Sequence, residues 1–309
     1  MLDIQEHVIL APYTTFKIGG PARWYVEVAH ADEVKEAIQF AVKRNIRHVV
    51  LAGASNVLIP DEGLHALVIR LVEGEYTFFE NGIRAEAGCN LLNLIQKAGE
   101  HGFGGWEKLA GIPGSLGGAI RGNAGAFGSE IKDYVASVAV INEKTLESRV
   151  FLNQYLSFGY RDSTFKRDNA WIITAANLEL GPTRPERSAA IIAETILERE
   201  KRHLQNVQAA GSFFMNPVVR SEIVALFEKE KHEKSREGRV PAGWLIEKAG
   251  LKGAKVGGAI ASEQHPNYLV NSGQATAQDV LALAQKIKQV VKAQFAVQLT
   301  EEAAIVTNV

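Results

Sequence analysis

The stretch GFGGWEKLAGIPGSLGGAIRGNAGAFG, residues 102–128, holds ten of the 28 glycines of the chain: Gly102, Gly104, Gly105, Gly111, Gly114, Gly117, Gly118, Gly122, Gly125 and Gly128. Glycine adopts positive φ angles freely and lets a ligand approach the backbone closely. Flexible linkers are poor in apolar residues, whereas Ile112, Leu116, Ile120 and Phe127 recur through this stretch. The segment, called here the glycine-rich segment, therefore predicts backbone folded around a ligand, and neither a helix nor an ordinary strand.

Short strands and amphipathic helices alternate before the glycine-rich segment, and strands and then helices are predicted after it. The periodicity predicts strands at 24–28, 48–52 and 67–71, and helices at 31–44, 90–101, 186 to about 203, and 276–294. The first two strands and the helix between them form a β-α-β unit. Residues 127–180 alternate in the manner of strands, and GPTRP at 181–185 predicts a boundary.

Composition limits the class of protein. The chain has 309 residues, of which 46% are hydrophobic and 22% charged, with a formal net charge of −1. This length favours two or three domains, and the near-neutral charge offers no electrostatic basis for a nucleic-acid partner. One cysteine, Cys89, cannot form an internal disulfide or a multi-thiolate metal site. We therefore expect a cytoplasmic protein with no metal site and no membrane insertion.

Two turns have the composition of phosphate sites. GASNVLI, residues 53–59, places Ser55, Asn56 and backbone N–H groups at the end of a strand, although a purely structural turn would look the same. GIPGSLGGAIRGNAGAFG, residues 111–128, combines glycines with Pro113 and suits a backbone cradle for a pyrophosphate and a flat ring. Neither turn matches GxGxxG or GxxxxGK[ST], so a bound dinucleotide requires an architecture other than a Rossmann fold or a P-loop.

Three polar segments could take part in chemistry. Arg161 in YRDSTFK (160–166) has a strand-like context, and its guanidinium suits a carboxylate, although surface pairing with Asp162 is the plainer alternative. Ser212 in GSFFMNP (211–217) lacks the GxSxG context of a hydrolase nucleophile. Glu301 and Glu302 would face opposite ways in a strand, so only one of them can point into a site.

Seven motifs in order resemble one known family. They are TTFKIGGPA (14–22), GASNVLI (53–59), GIPGSLGGAI followed by NAGAFG (111–128), FGYRDSTFK (158–166), GSFFMNP (211–217), PAGWLIEKAGLKG (241–253) and HPNYLVN (265–271). The chain is similar, over about residues 13–302, to the UDP-N-acetylenolpyruvoylglucosamine reductases, also called UDP-N-acetylmuramate dehydrogenases, of bacterial peptidoglycan synthesis. The spacing of Arg161 and Ser212 resembles the shorter branch of this family, which lacks a tyrosine capping loop.

The resemblance implies an α+β flavoenzyme of three domains. Vanillyl-alcohol-oxidase-like FAD-binding subdomains would occupy residues 1–72 and 73–185, and a UDP-sugar substrate domain residues 186–309. It further implies a monomer in which NADPH reduces noncovalently bound FAD. Flavin N5 then passes hydride to C3 of the enolpyruvyl ether of UDP-N-acetylglucosamine, and a proton goes to C2.

The resemblance also implies roles for individual residues. Ser212 would donate the proton, and Arg161 and Glu302 would polarise the substrate carboxylate and stabilise the enolic intermediate. The substrate would contact Tyr160, Asn216 and His265. The implied FAD contacts are Gly53, Ala54, Ser55, Asn56, Val57, Gly111, Ile112, Pro113, Gly114, Ser115, Gly117, Gly118, Asn123 and Gly125.

Some residues depart from the family pattern, and two alternatives stay open. Met215 stands where the family usually has lysine, and Trp106 and Arg121 are unusual in the flavin motif. A different flavin oxidoreductase of the same fold, such as a hydroxy-acid or sugar oxidase, frequently tethers FAD to a histidine or cysteine. A non-catalytic flavin- or UDP-sugar-binding protein would be expected to lose Arg161, Ser212 or Glu302, and all three are present.

Overall fold

The computed structural model describes residues 2–201 and 207–308. The chain separates into two compact units, each described here by itself. The first unit comprises Met1–Val8, Ala22–Ala54 and Leu64–Lys201, and the second comprises Ile9–Pro21, Ser55–Gly63 and Arg202–Val309. The division into three domains at residues 72 and 185 stays a prediction, because it divides the chain by sequence whereas the units group residues by contact.

The first unit begins with a four-stranded sheet. Its strands lie in the order Gln5–Ile9, Pro21–Val28, Leu64–Leu71, His48–Leu51, and the last three are parallel. The predicted β-α-β unit is present, with helix Ala31–Lys43 as its connection, but its two strands are not neighbours. Leu64–Leu71 lies between them because this strand is apolar and buried at most positions, as central parallel strands are.

The second sheet of this unit has five antiparallel strands. Their order is Ser148–Leu152, Val135–Asn142, Trp171–Glu179, Gly82–Glu86, Tyr76–Phe79. Helix Leu91–Glu100 ends where the sequence predicts, with Gly102 at φ 83° just beyond it. Helix Pro185–Lys201 packs against helix Leu91–Glu100. The sequence predicts that helix Pro185–Lys201 continues to about His203, which lies outside the described residues. Both sheets contribute to one hydrophobic core.

Part of the glycine-rich segment is helical, so the prediction that it contains no helix is wrong there. Leu116–Arg121 forms one short helix, and Ser115 Oγ accepts a hydrogen bond from the Gly118 N–H at its start. A Cβ atom on Gly117 would lie 2.8 Å from Cβ of Ala87. The helix therefore lies too close to its neighbour for a side chain, and glycine here serves packing as well as turn geometry.

The described residues of the second unit form three α-helices: Ser221–Lys231, Ala242–Lys248 and Ala277–Phe295. The last confirms the predicted helix at 276–294, and Thr276 with Asp279 forms a capping box at its start. Strands Lys255–Val256, Ala259–Ala261 and Leu269–Asn271 form a small sheet, and Val57–Leu58 pairs in parallel with Ala304–Ile305. Within the described part of the chain, every helix is too short or too polar to cross a lipid bilayer.

An ion pair joins the start of helix Ala31–Lys43 to the five-stranded sheet of the first unit. His30, just before helix Ala31–Lys43, places Nδ1 2.8 Å from Oε1 of Glu86 in strand Gly82–Glu86. The hydrogen bond to Glu86 and its negative charge raise the pKa of His30. A raised histidine pKa contributes stability that is present below the ordinary value of about 6.5 and is lost as the pH rises through the folded-state value.

We therefore expect His30→Gln to lower the urea midpoint of unfolding at about pH 5.5 and to leave it nearly unchanged at about pH 8.5. The measurement is urea unfolding of wild type and variant at both pH values. The difference should disappear when Glu86 is also replaced by glutamine. A deficit that grows as the pH rises would contradict this account of the pair.

Candidate functional site

Two predicted phosphate turns meet in the first unit. A Cβ atom on Gly53 would lie 2.6 Å from Cα of Gly114 and 2.9 Å from the backbone nitrogen of Ser115. Gly111 and Gly114 have φ angles of 79° and 119°, which side-chain-bearing residues rarely adopt. Gly53 has no room for a side chain, and Gly111 and Gly114 have backbone conformations that favour glycine. We call the arrangement of Gly53, Gly114 and Ser115, where the two turns touch, the cradle.

The cradle is fixed to the chain just before helix Leu91–Glu100. The Leu91 N–H donates to the Gly114 carbonyl at 3.1 Å, and the Leu116 N–H donates to the Cys89 carbonyl at 2.9 Å. The Cys89 thiol is buried, donates to the Gly74 carbonyl at 3.4 Å, and has a pKa raised by burial. A buried thiol of raised pKa is a poor nucleophile, so Cys89 is unsuited to tether a flavin.

The GASNVLI turn is anchored in the second unit from Ser55 onward. The Thr15 hydroxyl donates to the Ser55 carbonyl at 3.0 Å. Asn56 Nδ2 donates to the Glu302 carbonyl at 3.1 Å, and the Ala304 N–H donates to the Asn56 carbonyl at 2.9 Å. The structure thereby brings together Asn56, predicted as a cofactor residue, and Glu302, predicted as a catalytic one.

Ser212 lies on an extended segment held on one side by Asn267. The Phe213 N–H donates to the Asn267 carbonyl at 2.7 Å, and the Asn267 side chain exchanges hydrogen bonds with the backbone of Phe214 at 2.9 and 2.8 Å. Asn267 is only 1% exposed. Sequence reasoning missed this residue, although the motif HPNYLVN contains it; only the fold shows which backbone its amide satisfies.

Residues 300–303 hold the other side of this segment. The Glu302 and Ala303 N–H groups both point to the Phe213 carbonyl, at 2.8 and 3.3 Å, as in a β-bulge. The Glu301 carboxylate pairs with Lys288 at 2.8 Å. Since Glu301 is engaged by a helix, Glu302 is the member of the acidic pair that remains a candidate for the site.

Arg161 lies in a tight turn, so the prediction of a strand-like context is wrong. The Asp162 N–H donates to the Gly159 carbonyl at 3.3 Å, and Arg161 has a φ angle of 55°. Its guanidinium donates to the carbonyl of Gly125 at 2.7 Å and to that of Asn123 at 3.4 Å. Asp162 instead pairs with Arg167 at 2.6 Å. Arg161 is therefore directed to the glycine-rich segment and not to a surface pair with Asp162.

The three predicted substrate residues have different surroundings. The Arg161 guanidinium lies over the ring of Tyr160, and its carbon Cζ is 5.3 Å from the ring centroid. Asn216 Oδ1 accepts the Ala242 N–H at 3.0 Å, at the start of helix Ala242–Lys248. The His265 ring packs edge-on against Tyr268, with centroids 4.8 Å apart. Tyr160 belongs to the first unit, and Asn216 and His265 belong to the second.

The residues that depart from the family pattern lie in ordinary structural roles. Trp106 is fully buried in the core of the first unit. Arg121 donates to the Asn169 side chain at 2.9 Å, and the Met215 N–H donates to the Thr300 carbonyl at 2.9 Å. The Met215 bond is one of those by which residues 300–303 hold the segment of Ser212.

The cradle fits an anionic cofactor. Glycine leaves no side chain between the backbone and a ligand, and backbone N–H groups in such turns can bind phosphate oxygens. The remaining predicted cofactor residues lie in or beside these turns: Ala54 with φ 42°, Val57 in its short strand, and Ile112, Pro113, Gly118 and Gly125 in the glycine-rich segment.

Comparison with known proteins gives a consistent result. A family model described as UDP-N-acetylenolpyruvoylglucosamine reductase, C-terminal domain, matches residues 202–306, and one described as FAD binding domain matches residues 22–145. The reductase of that name from Synechococcus sp. (strain JA-3-3Ab) is 38% identical over 283 residues, covering 91% of this chain and 84% of that protein. The one from Carboxydothermus hydrogenoformans is 36% identical over 304 residues, covering 98% and 93%.

A solved structure agrees over nearly the full length. The crystal structure of UDP-N-acetylenolpyruvylglucosamine reductase from Thermus caldophilus superposes with a TM-score of 0.79 at 32% identity. The match covers 99% of this chain and 100% of that one. The α+β class with an FAD-binding domain, expected from the sequence, is confirmed.

Proposed function

The chain belongs to the family of UDP-N-acetylenolpyruvoylglucosamine reductases, and from this membership we propose its reaction and the roles of its residues. The protein reduces the enolpyruvyl ether of UDP-N-acetylglucosamine to UDP-N-acetylmuramate, a step of peptidoglycan precursor synthesis, with FAD as cofactor and NADPH as reductant. The observation that supports this most directly is the cradle of Gly53, Gly114 and Ser115, which lies within the part of the chain matched by the FAD-binding model.

The cofactor is held mainly by backbone. Residues 53–57, 111–115, 117, 118 and 125 would hold FAD through backbone around its pyrophosphate and through glycine surfaces beside its ring. The N–H groups of Ile112, Gly117 and Gly118 already donate within the protein, so these residues would contribute surface and not a donor. Bound FAD supplies hydride transfer, from NADPH and then to C3 of the enolpyruvyl group. The buried Cys89 argues for noncovalent binding at this position.

The side chains of the protein handle the charge and the proton. Hydride addition at C3 leaves negative charge that spreads from C2 into the substrate carboxylate. Arg161 would stabilise this charge, since a preorganised guanidinium stabilises charge that develops during the reaction. Glu302 would polarise the carboxylate together with Arg161. The Ser212 hydroxyl would donate the proton to C2; it is a weak acid, but the intermediate is a strong base.

Substrate contacts, assembly and location complete the proposal. Tyr160, Asn216 and His265 would contact the UDP-sugar, with Asn216 contributing its amide nitrogen because its oxygen already accepts the Ala242 N–H. One chain contains every residue assigned above, so we propose a monomer. A location in the cytoplasm agrees with a single reduced cysteine and with nucleotide-linked substrates.

The purified protein should release yellow flavin into the supernatant when it is precipitated with acid. It should also oxidise NADPH in a manner that depends on the enolpyruvyl sugar. Colour that stays with the pellet would favour an oxidase with tethered FAD. Flavin release without sugar-dependent turnover would favour a non-catalytic binding protein, and failure to take up added FAD would overturn the proposal.

A further inference from the structure

The turn that presents Arg161 is conformationally costly. Residues 159–162 form a closed turn in which the Gly159 and Asp162 backbones exchange hydrogen bonds at 3.0 and 3.3 Å. Arg161, the second central residue, has a φ angle of 55°, a position where turns prefer glycine or asparagine. Non-glycine residues in this region persist only where the surroundings hold them, and they concentrate at functional sites.

Asn123 is the residue that holds this turn from the glycine-rich segment. It is fully buried. Its Nδ2 donates to the Gly159 carbonyl at 2.8 Å, and its Oδ1 accepts the Lys132 N–H at 3.3 Å. Both the nitrogen and the oxygen of the Asn123 amide therefore make hydrogen bonds within the protein, and the nitrogen binds the turn that contains Arg161.

The contact is reciprocal. The side chain of Asn123 binds the backbone of the turn, while the side chain of Arg161 binds the backbone carbonyls of Asn123 and Gly125. Both contacts connect residues 123–125 with residues 159–161. The turn and the guanidinium of Arg161 are thus both hydrogen-bonded to a buried asparagine 38 residues earlier in the chain.

We propose that Asn123 is a positioning residue for Arg161, and that its side-chain amide orients the guanidinium toward the substrate carboxylate instead of binding the cofactor. This inference rests on the proposed role of Arg161. It predicts that loss of the amide slows the step in which the substrate accepts hydride and leaves FAD binding and NADPH oxidation by the flavoenzyme intact.

Asn123→Gly is the sharpest variant, because Asn123 itself has a φ angle of 42° that glycine adopts without strain. We expect the substrate-reducing half-reaction to slow roughly 10- to 100-fold, as small misplacements of catalytic groups do. Reduction of bound FAD by NADPH, measured separately by stopped flow, should stay within about twofold of wild type. Hydrogen exchange of the apo-protein should be faster in residues 159–162. Asn123→Asp, which keeps the size and the acceptor but loses the donor, should behave in the same way.

Asn153→Ala is the matched control. Asn153 Nδ2 lies in the same unit and donates to the carbonyls of Lys132 and Val135 at 2.9 and 2.6 Å, and neither acceptor belongs to the turn. This variant should lose some stability and retain both half-reactions. In the double variant, Asn123→Gly should add nothing to the loss caused by Arg161→Ala, since both act through one guanidinium.

Several outcomes would overturn the inference. They are an unchanged exchange rate at residues 159–162, loss of FAD from Asn123→Gly, equal slowing of both half-reactions, or losses that multiply in the double variant. If Arg161→Ala alone reduces the substrate at the wild-type rate, then the proposed function of Arg161 is wrong, and the positioning role is overturned with it. The single variant Arg161→Ala therefore distinguishes the two failures.

Discussion

Ser212→Ala is expected to slow reduction of the enolpyruvyl substrate by about 10²- to 10⁴-fold, the usual contribution of a positioned proton donor. Oxidation of NADPH by the FAD-bound protein should proceed at the wild-type rate, because no proton reaches C2 in that half-reaction. The fold should also be retained. The segment of Ser212 is held by backbone bonds to Asn267 and to residues 300–303, and the hydroxyl makes none of them.

The two half-reactions are measured separately by stopped flow. Glu301→Gln is the control: Glu301 lies beside Glu302 and bridges Phe214, but its carboxylate pairs with Lys288. The Glu301→Gln variant should lose no more than ~1 kcal/mol of its free energy of unfolding, the contribution of a partly exposed ion pair. It should carry out both half-reactions at the wild-type rate. If Ser212→Ala slows both half-reactions equally with FAD still bound, Ser212 is not the proton donor.

Gly53→Ala is expected to weaken FAD binding roughly 5- to 150-fold. The added methyl group would meet Cα of Gly114 at 2.6 Å and the Ser115 nitrogen at 2.9 Å. Backbone cannot rotate away as a side chain does, so one turn must shift, and overpacking of this kind costs about 1–3 kcal/mol. The displaced turn would take its N–H groups away from the cofactor.

Affinity is measured by titrating apo-protein with FAD and following flavin fluorescence. Gly122→Ala, in the glycine-rich segment, is the matched control. A Cβ atom on Gly122 would meet the Gly118 carbonyl oxygen at 3.5 Å, an ordinary van der Waals contact. It should bind FAD as wild type does. Wild-type affinity in Gly53→Ala would show that the close approach of the two turns does not shape the cofactor site.

Much of the local structure could be predicted because it depends on neighbours in sequence. Periodicity identified helices Ala31–Lys43, Leu91–Glu100 and Ala277–Phe295, and Gly102 marked a helix end through its preference for positive φ. The turn of Arg161 could not be predicted in this way. A left-handed arginine is unfavourable locally and persists because Asn123, distant in sequence, holds the turn.

The sequence by itself determined the family, the α+β class and the residue types available for chemistry, because ordered motifs and apolar periodicity are properties of the chain read in one dimension. The tertiary structure alone decided how those residues are held. In the fold Gly53 packs against Gly114, and Glu301 forms an ion pair with Lys288. Asn56 donates a hydrogen bond to Glu302, 246 positions later in the chain. Such pairings follow from the packing of two cores and from the satisfaction of buried backbone groups, and both join residues far apart in sequence.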